Sequence, residues 1–277
     1  MSEAPRSRQA RAMAEAALVR LVAAYGETPE FVLLGGLVPD LLCTGAAHQH
    51  VGTTDVDIQV DLEIQSGSEN ATRLERALEQ SGFSPSSEYV WRWVDAMGPG
   101  AVVKIEFLAD LEDAPNEATV NFDGCQTLGA VNLRGTGFAA QDWRLRSFTA
   151  EIEDRSATVE VRVATLPAYL LAKIHAAYGR AAIKDWHDVA YVVLHNDDGG
   201  PDVAGEQVQT VFGHHLVGQT RTALGELAAN FEHVGAQGSI AYAQTMTDLY
   251  PDLDADILAN DAVAGIAAFL GRLRIKP

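Results

Sequence analysis

The chain has 277 residues, of which 47% are hydrophobic and 21% are charged, a composition that is typical of a globular protein and argues against global disorder. Its length predicts one large domain or two of moderate size. The formal net charge of -18 disfavours nonspecific nucleic-acid binding, because such a surface repels phosphates on average and attracts cations. No apolar run of signal-peptide type or of membrane-spanning length occurs, so we expect a cytoplasmic protein that makes no contact with a membrane.

Helical and extended patterns alternate in the first part of the chain. Apolar residues recur at helical spacing over residues 9–24, and a short apolar run at 31–34 leads into Gly35 and Gly36. The elements predicted after them are a short helix at 37–43, a strand at 53–62, a helix at 70–81, strands at 89–94 and 102–108 on either side of the turn-like residues 98–100, a polar loop at 112–117 and short strands between 127 and 163.

The second part of the chain is predicted to be helical. Helices are expected at 167–178 and 184–195, and the sequence Asn-Asp-Asp-Gly-Gly-Pro at 196–201 then breaks the pattern before three or four more helices. The fold class is therefore α/β (α+β). We expect a mixed sheet domain at residues 1–164, followed by a helical domain at residues 165–277.

Two aspartates, Asp55 and Asp57, alternate with apolar residues in the predicted strand at 53–62. Residues two apart on a strand project from the same face, so both carboxylates point together while Val56 and Ile58 point into the core. Adjacent carboxylates repel each other unless a cation lies between them, and Mg²⁺ prefers such oxygen ligands and shares them with substrate phosphates. Taken alone, the pair fits a metal site and a solvated edge strand equally well.

Two further features accompany the aspartates. Gly35 and Gly36 stand between a predicted strand and a predicted helix, where backbone amides can hold a phosphate, although this pair alone is also typical of a tight turn. Glu106 lies within the predicted strand at 102–108. If that strand neighbours the aspartates, Glu106 completes a three-carboxylate cluster that can hold two metal ions, or it acts as a general base. Alone, it fits a surface glutamate just as well.

Together these features resemble the signature of the polymerase-β-like nucleotidyltransferase superfamily. The resemblance is carried by Leu33-Leu34-Gly35-Gly36-Leu37 and by Gly52-Thr53-Thr54-Asp55-Val56-Asp57-Ile58, and the chain is most similar to the AbiEii-type nucleotidyltransferase toxins. It implies the superfamily's sheet fold and an NTP substrate. It also implies catalytic residues that hold two Mg²⁺ ions, namely Asp55, Asp57 and Glu106, and nucleotide-binding residues, namely Gly35, Gly36 and Thr54.

Two later motifs extend the similarity to about residue 194. They are Leu171-Ala172-Lys173-Ile174, and Arg180 followed by Lys184-Asp185-Trp186-His187-Asp188-Val189. Lys173 and Arg180 lie seven residues apart on one predicted helix and therefore share a face. We expect Lys173 and Asp185 to be catalytic, and Arg180 and Lys184 to contact the triphosphate. Individually, each of these residues fits a charged helix surface with ion pairs equally well.

Three functions remain open. The first is a toxin of a toxin–antitoxin pair that transfers an NMP to tRNA ends, with a cognate antitoxin as partner. The second is an aminoglycoside-type enzyme with a small cationic acceptor, which the acidic composition favours. The third is a catalytically silent binding module of the same fold. A His-x-His pair, His48 and His50, is interpreted as a loop, because no further metal ligands follow at a useful spacing.

Overall fold

The computed structural model describes residues 8–95, 102–152, 154–180 and 182–274. The turn expected at 98–100 lies outside them. The described part divides into two compact units. The first contains the residues up to Val38 together with Val51–Ala164, and the second contains Pro39–His50 together with the residues from Thr165 onward. Residues 39–50, placed in the first domain by sequence, therefore pack with the helical residues instead.

A mixed sheet forms the first unit, and its described strands follow the order β3-β4-β5-β2-β1-β9-β8, with β7 beside β5 and β6 beside β7. The two central strands, β2 and β5, are parallel, whereas β4 is antiparallel to β5. The bounds are β1 Val32–Leu34, β2 Asp55–Gln59, β3 Phe83–Pro85, β4 Arg92–Asp95, β5 Val103–Ala109, β6 Thr119–Asn121, β7 Gly129–Asn132, β8 Trp143–Ile152 and β9 Arg155–Ala164.

The central strand β2 has the alternation that its sequence predicts. Val56 and Ile58 are fully buried, whereas Asp55 and Asp57 are partly exposed on the other face. The predicted extension of this strand to residue 62 is wrong, because a short helix begins at Asp61. The backbone N–H of Asp110 donates to the Asp61 carboxylate at 2.9 Å, and this contact between residues 49 positions apart helps to position Asp61 at the start of the helix.

Helices of the first unit pack around this sheet. The first helix buries an apolar stripe that includes Leu18 and Leu21, as its periodicity predicts, and it contacts β8 and β9 at one end of the sheet as well as the central β5 and β2. The helix expected at 37–43 is divided into a 3₁₀ turn at Gly35–Leu37 and a short helix that belongs to the second unit. The helices of the first unit are α1 Arg8–Tyr25, α3 Asp61–Gln65, α4 Ser68–Gln80 and α5 Phe138–Gln141.

Among its described residues, the second unit contains helices and loops but no strand. The two predicted helices that carry the later motifs are confirmed, and four further α-helices follow the break at 196–201, as expected. The bounds are α2 Pro39–Leu42, α6 Leu166–Arg180, α7 Ile183–His195, α8 Pro201–Phe212, α9 Gly218–Asn230, α10 Gln237–Leu249 and α11 Ala255–Gly271, with a 3₁₀ turn at Gly213–His215. Among the described helices, none combines the length and apolar character that crossing a membrane requires.

Residues 39–50 are fixed to this helical unit by polar contacts. The carboxylate of Asp197 accepts hydrogen bonds from Thr44 and from the backbone N–H of Gly45, at 2.7–2.9 Å. The Tyr191 hydroxyl donates to the His48 carbonyl at 2.8 Å, and the Tyr250 hydroxyl donates to the next carbonyl at 3.0 Å. These contacts join residues that are 143 to 201 positions apart, which is why local sequence patterns do not assign the segment to this unit.

Candidate functional site

The three predicted carboxylates lie on one face at the centre of the sheet. In the parallel pairing of β2 with β5, Asp57 stands opposite Glu106, and Asp55 stands opposite Lys104. Cross-strand partners in register point to the same side of a sheet, and so do residues two apart on one strand. The register therefore places Asp55, Asp57 and Glu106 together, which is the arrangement that a three-carboxylate metal site requires.

Two cations that the sequence analysis did not select lie beside these carboxylates. The Arg92 guanidinium contacts Glu106 Oε1 through two nitrogens, each at 2.7 Å. The Lys104 ammonium lies 3.6 Å from Asp55 Oδ1. Since Lys104 alternates with Glu106 on one predicted strand, their shared face was available from sequence. The pairing of Arg92 with Glu106 depends on strand order, which local sequence patterns do not give.

An observation independent of the sequence motif supports cation binding by the carboxylate cluster. Asp55 Oδ1 is buried and accepts no hydrogen bond among the described residues, and the Lys104 ammonium, at 3.6 Å, lies beyond hydrogen-bonding distance from it. An ionised oxygen that has lost water without gaining a hydrogen bond costs free energy, and a divalent cation with oxygen preference would compensate for that loss. The residues present therefore suit Mg²⁺ as a ligand set.

Gly35 is required by the position of Asp57. Its φ of +77° lies in the left-handed region that side chains rarely adopt, and a Cβ added there would overlap Asp57 Oδ2 and lie 2.6 Å from Asp57 Cγ. The glycine therefore permits the Asp57 carboxylate to pack directly against the turn that follows β1. Its role as a phosphate-binding residue stays a prediction.

We expect Gly35→Ala to lower the free energy of unfolding by about 3 kcal/mol, because backbone strain and the displacement of Asp57 add together. Gly26→Ala is the matched control, since Gly26 has a φ of +88° and no atom within 4 Å of an added Cβ. It isolates the strain, about 1 kcal/mol. Urea unfolding of both variants gives the comparison, and equal losses would contradict the contact with Asp57.

The remaining predicted nucleotide-binding residues of this unit occupy different environments. A Cβ on Gly36 would lie 2.8 Å from Thr53 Cβ, so this glycine also serves close packing. Thr54 is buried, and its carbonyl accepts a hydrogen bond from the Lys104 backbone N–H at 3.1 Å. Thr53, rather than Thr54, hydrogen-bonds the backbone N–H of Asp55, at 3.0 Å. Thr54 therefore helps to align β2 with β5.

The later motifs form a second cluster, within the helical unit. The Lys173 ammonium donates to Asp188 Oδ2 at 2.7 Å and to Asp185 Oδ1 at 3.2 Å. Arg180 donates to the same Asp185 oxygen at 3.0 Å. The cations that the sequence predicts on one face of α6 are thus directed at carboxylates of α7, and Lys184 lies half-buried beside Asp185 in the first turn of that helix.

Burial distinguishes the members of this cluster. The side chains of Asp185, Asp188 and Lys173 are 0%, 4% and 10% exposed, whereas Arg180 is 49% exposed. Burial alone would raise the pKa of the Asp188 carboxyl, but the charges of Lys173 and His50 outweigh it and hold that pKa well below its usual range. Asp188 is therefore an anion at neutral pH, fixed between two partners.

His50 is the residue of this cluster that sequence reasoning missed. Its Nε2 lies 2.9 Å from Asp188 Oδ1, and both side chains are nearly fully buried. Ligand atoms of His50, His187 and Asp188 also lie within 4.8 Å of one another. The only sequence signal was the His-x-His pair, because the histidine and its aspartate are 138 residues apart.

Comparisons with known proteins bear on the family of the chain. A family model described as "Nucleotidyl transferase AbiEii toxin, Type IV TA system" matches residues 16–263. Among solved structures, an antigenic nucleotidyltransferase-like protein from Paracoccidioides brasiliensis is 18% identical, with 81% of this chain and 90% of that chain covered at a TM-score of 0.44. No curated protein matches the chain. Because the family model spans most of the sequence, the chain belongs to the AbiEii nucleotidyl transferase toxin family.

Proposed function

We propose that this protein transfers an NMP from an NTP to an acceptor in a metal-dependent reaction. The observation that carries the proposal is the pairing of β2 with β5, which puts Asp55, Asp57 and Glu106 on one face of the sheet. Nucleotidyl transfer needs positioning and charge neutralisation rather than covalent help from the protein, and three clustered carboxylates are suited to that task.

The carboxylates are proposed to hold two Mg²⁺ ions. Bound there, the ions would neutralise the triphosphate and activate the attacking hydroxyl. Asp57 and Glu106 are direct neighbours across the strands, and Asp55 offers its buried Oδ1. Arg92 and Lys104 balance part of the negative charge of this face. Gly35 and Gly36 are proposed to leave the backbone accessible to the nucleotide.

The cluster of the helical unit is proposed to act on the donor phosphates. Lys173 supplies a positive charge whose direction is fixed by two carboxylates, and the more exposed Arg180 and Lys184 contact the triphosphate. Asp185 orients both Lys173 and Arg180, because one of its oxygens accepts hydrogen bonds from each of them. Cations held in advance reorganise little during the reaction, which favours the departure of pyrophosphate.

Family membership supports a toxin whose partner is a cognate antitoxin, and we propose tRNA ends as the acceptor and the cytoplasm as the compartment. A second candidate acceptor is a small polycationic molecule. One observation favours it: both units carry more acidic than basic residues, and the cations of the helical cluster are largely matched by Asp185 and Asp188. An acidic protein attracts cationic substrates and repels RNA.

Label transfer tests the function and separates the acceptors. The purified protein would be incubated with Mg²⁺, each α-³²P-labelled NTP in turn, and either total tRNA or an aminoglycoside such as kanamycin. We expect label in tRNA that is lost on addition of EDTA. Label in the aminoglycoside alone would reassign the acceptor. If neither acceptor is labelled and calorimetry detects no NTP binding with Mg²⁺, the protein is a silent binding module and the proposal is wrong.

A further inference from the structure

We infer that His50 is a positioning residue that fixes the direction of the Lys173 ammonium through Asp188. The inference rests on the proposed function, in which Lys173 acts on the donor phosphates. The two oxygens of one carboxylate join the residues: His50 Nε2 lies 2.9 Å from Asp188 Oδ1, and Lys173 Nζ lies 2.7 Å from Asp188 Oδ2. A carboxylate that is hydrogen-bonded at both oxygens cannot rotate about its Cβ–Cγ bond without breaking a hydrogen bond.

The histidine is itself held in place. Its backbone N–H donates to Asp40 Oδ1 at 3.2 Å. Its ring stacks on His187 with 5.5 Å between ring centroids, and the ring of Tyr191 meets it edge-on at 4.9 Å. Because Tyr191 also hydrogen-bonds the His48 carbonyl, the loop and the imidazole are fixed by the same helix that carries Asp188. His50 is therefore a rigid support for the carboxylate.

Charge decides between this role and a metal site at the same residues. His50, His187 and Asp188 offer ligand atoms within 4.8 Å of one another, which is the loose geometry of a three-ligand site. Both oxygens of Asp188 are already in hydrogen bonds, however, and one of them accepts from an ammonium group. A divalent cation bound to this carboxylate would be repelled by Lys173 at close range, in a buried environment that screens charge weakly. The geometry thus favours a chain of hydrogen bonds from His50 through Asp188 to Lys173, here called the relay, over a metal site.

The relay predicts a loss that depends on the hydrogen bond rather than on the ring. In His50→Ala the Asp188 carboxylate loses one of its two supports, Lys173 is less well directed, and kcat for label transfer should fall about 10- to 100-fold. In His50→Gln the amide nitrogen takes nearly the place of Nε2 and can donate to Asp188, so most of kcat should return. KM for the NTP should change less than kcat if direction, rather than binding, is what the histidine supplies.

His175→Ala is the matched control. His175 is a histidine on α6, two residues from Lys173, that is as buried as His50, and its Nε2 lies 3.0 Å from the neutral Thr220 hydroxyl. The His175→Ala variant should be less stable than the wild type, with little change in kcat. Equal kcat losses in His50→Ala and His175→Ala, or no recovery in His50→Gln, would overturn the relay. So would zinc bound at one equivalent per chain in the wild type and absent from His50→Ala.

A second measurement needs no enzymatic activity. In a double-mutant cycle of urea unfolding with His50→Ala and Lys173→Met, the midpoint shift of the double variant should be smaller than the sum of the single shifts, because both residues act on one carboxylate. Additive shifts would refute the relay even if the wild type transferred no nucleotide. An inactive wild type with coupled shifts would instead contradict the proposed function and leave the relay as a structural element.

Discussion

Asp57→Asn is expected to reduce nucleotidyl transfer about a thousandfold while the fold stays intact. The substitution removes one negative charge from the carboxylate face and keeps the shape of the side chain, so the close contact with Gly35 is preserved. Stabilisation of transition-state charge by a bound metal is worth several kcal/mol, and each 1.4 kcal/mol corresponds to about tenfold in rate. Label transfer from α-³²P-NTP over a range of Mg²⁺ concentrations gives the measurement.

The control for this variant is a carboxylate of the same unit that lies outside the cluster. Asp110 follows β5 and accepts hydrogen bonds from the backbone N–H groups of Gly135 and Gly137 and from the side chain of Arg134. Asp110→Asn therefore also removes one charge, and it should weaken the fold without abolishing transfer. If Asp57→Asn keeps full activity with the acceptor that the wild type labels, the carboxylates are not the metal site.

Lys173→Met should be the most destabilising single substitution in the helical unit among those considered. Asp185 and Asp188 are almost completely buried and both accept hydrogen bonds from this ammonium. Removing one partner of a buried ion pair leaves uncompensated charge and typically costs about 3–5 kcal/mol. Methionine has nearly the length of lysine, so the loss measured by urea unfolding at pH 7 reports charge rather than a cavity.

Arg180→Met provides the comparison, because Arg180 contacts the same Asp185 oxygen but is half-exposed. Because half of the Arg180 side chain remains in solvent, which screens its charge, its removal should cost less free energy of unfolding than the removal of Lys173. The difference in the free energy of unfolding between wild type and Lys173→Met should also become smaller in acid. Asp188 has a depressed pKa, so its contribution to the wild type is complete above the unfolded-state value of about 3.9 and is lost as the pH falls through the folded value. Equal losses of unfolding free energy in Lys173→Met and Arg180→Met would contradict the buried pairing of Lys173.

Much of the fold followed from local patterns. The alternation of Asp55, Val56, Asp57 and Ile58 predicted a strand with one buried face, and the structure confirms it. The family and the mixed α/β class are confirmed as well. What local patterns could not supply was the end of that strand, since a hydrogen bond from the Asp110 backbone helps to position Asp61 at the start of a helix.

The candidate site shows the same division between local and distant information. Spacing alone put Lys173 and Arg180 on one helix face, but it could not show that the lysine is buried between two carboxylates while the arginine stays half-exposed. Whether Glu106 would neighbour the aspartates depended on strand order, which sequence periodicity does not report. His50 was missed because its partner Asp188 lies 138 residues away along the chain, and no signal near His50 points to it.

The placement of residues 39–50 has a consequence for dissecting the molecule. The backbone leaves the sheet unit after Val38, returns to it at Val51 and leaves it again after Ala164, so neither unit is a continuous stretch of polypeptide. A fragment ending at residue 164 would contain the loop at 39–50 but lack Asp197 and Tyr191, which hydrogen-bond it. A fragment starting at residue 165 would contain Asp197 and Tyr191 but lack the loop. Expression of either half should therefore yield an incomplete fold.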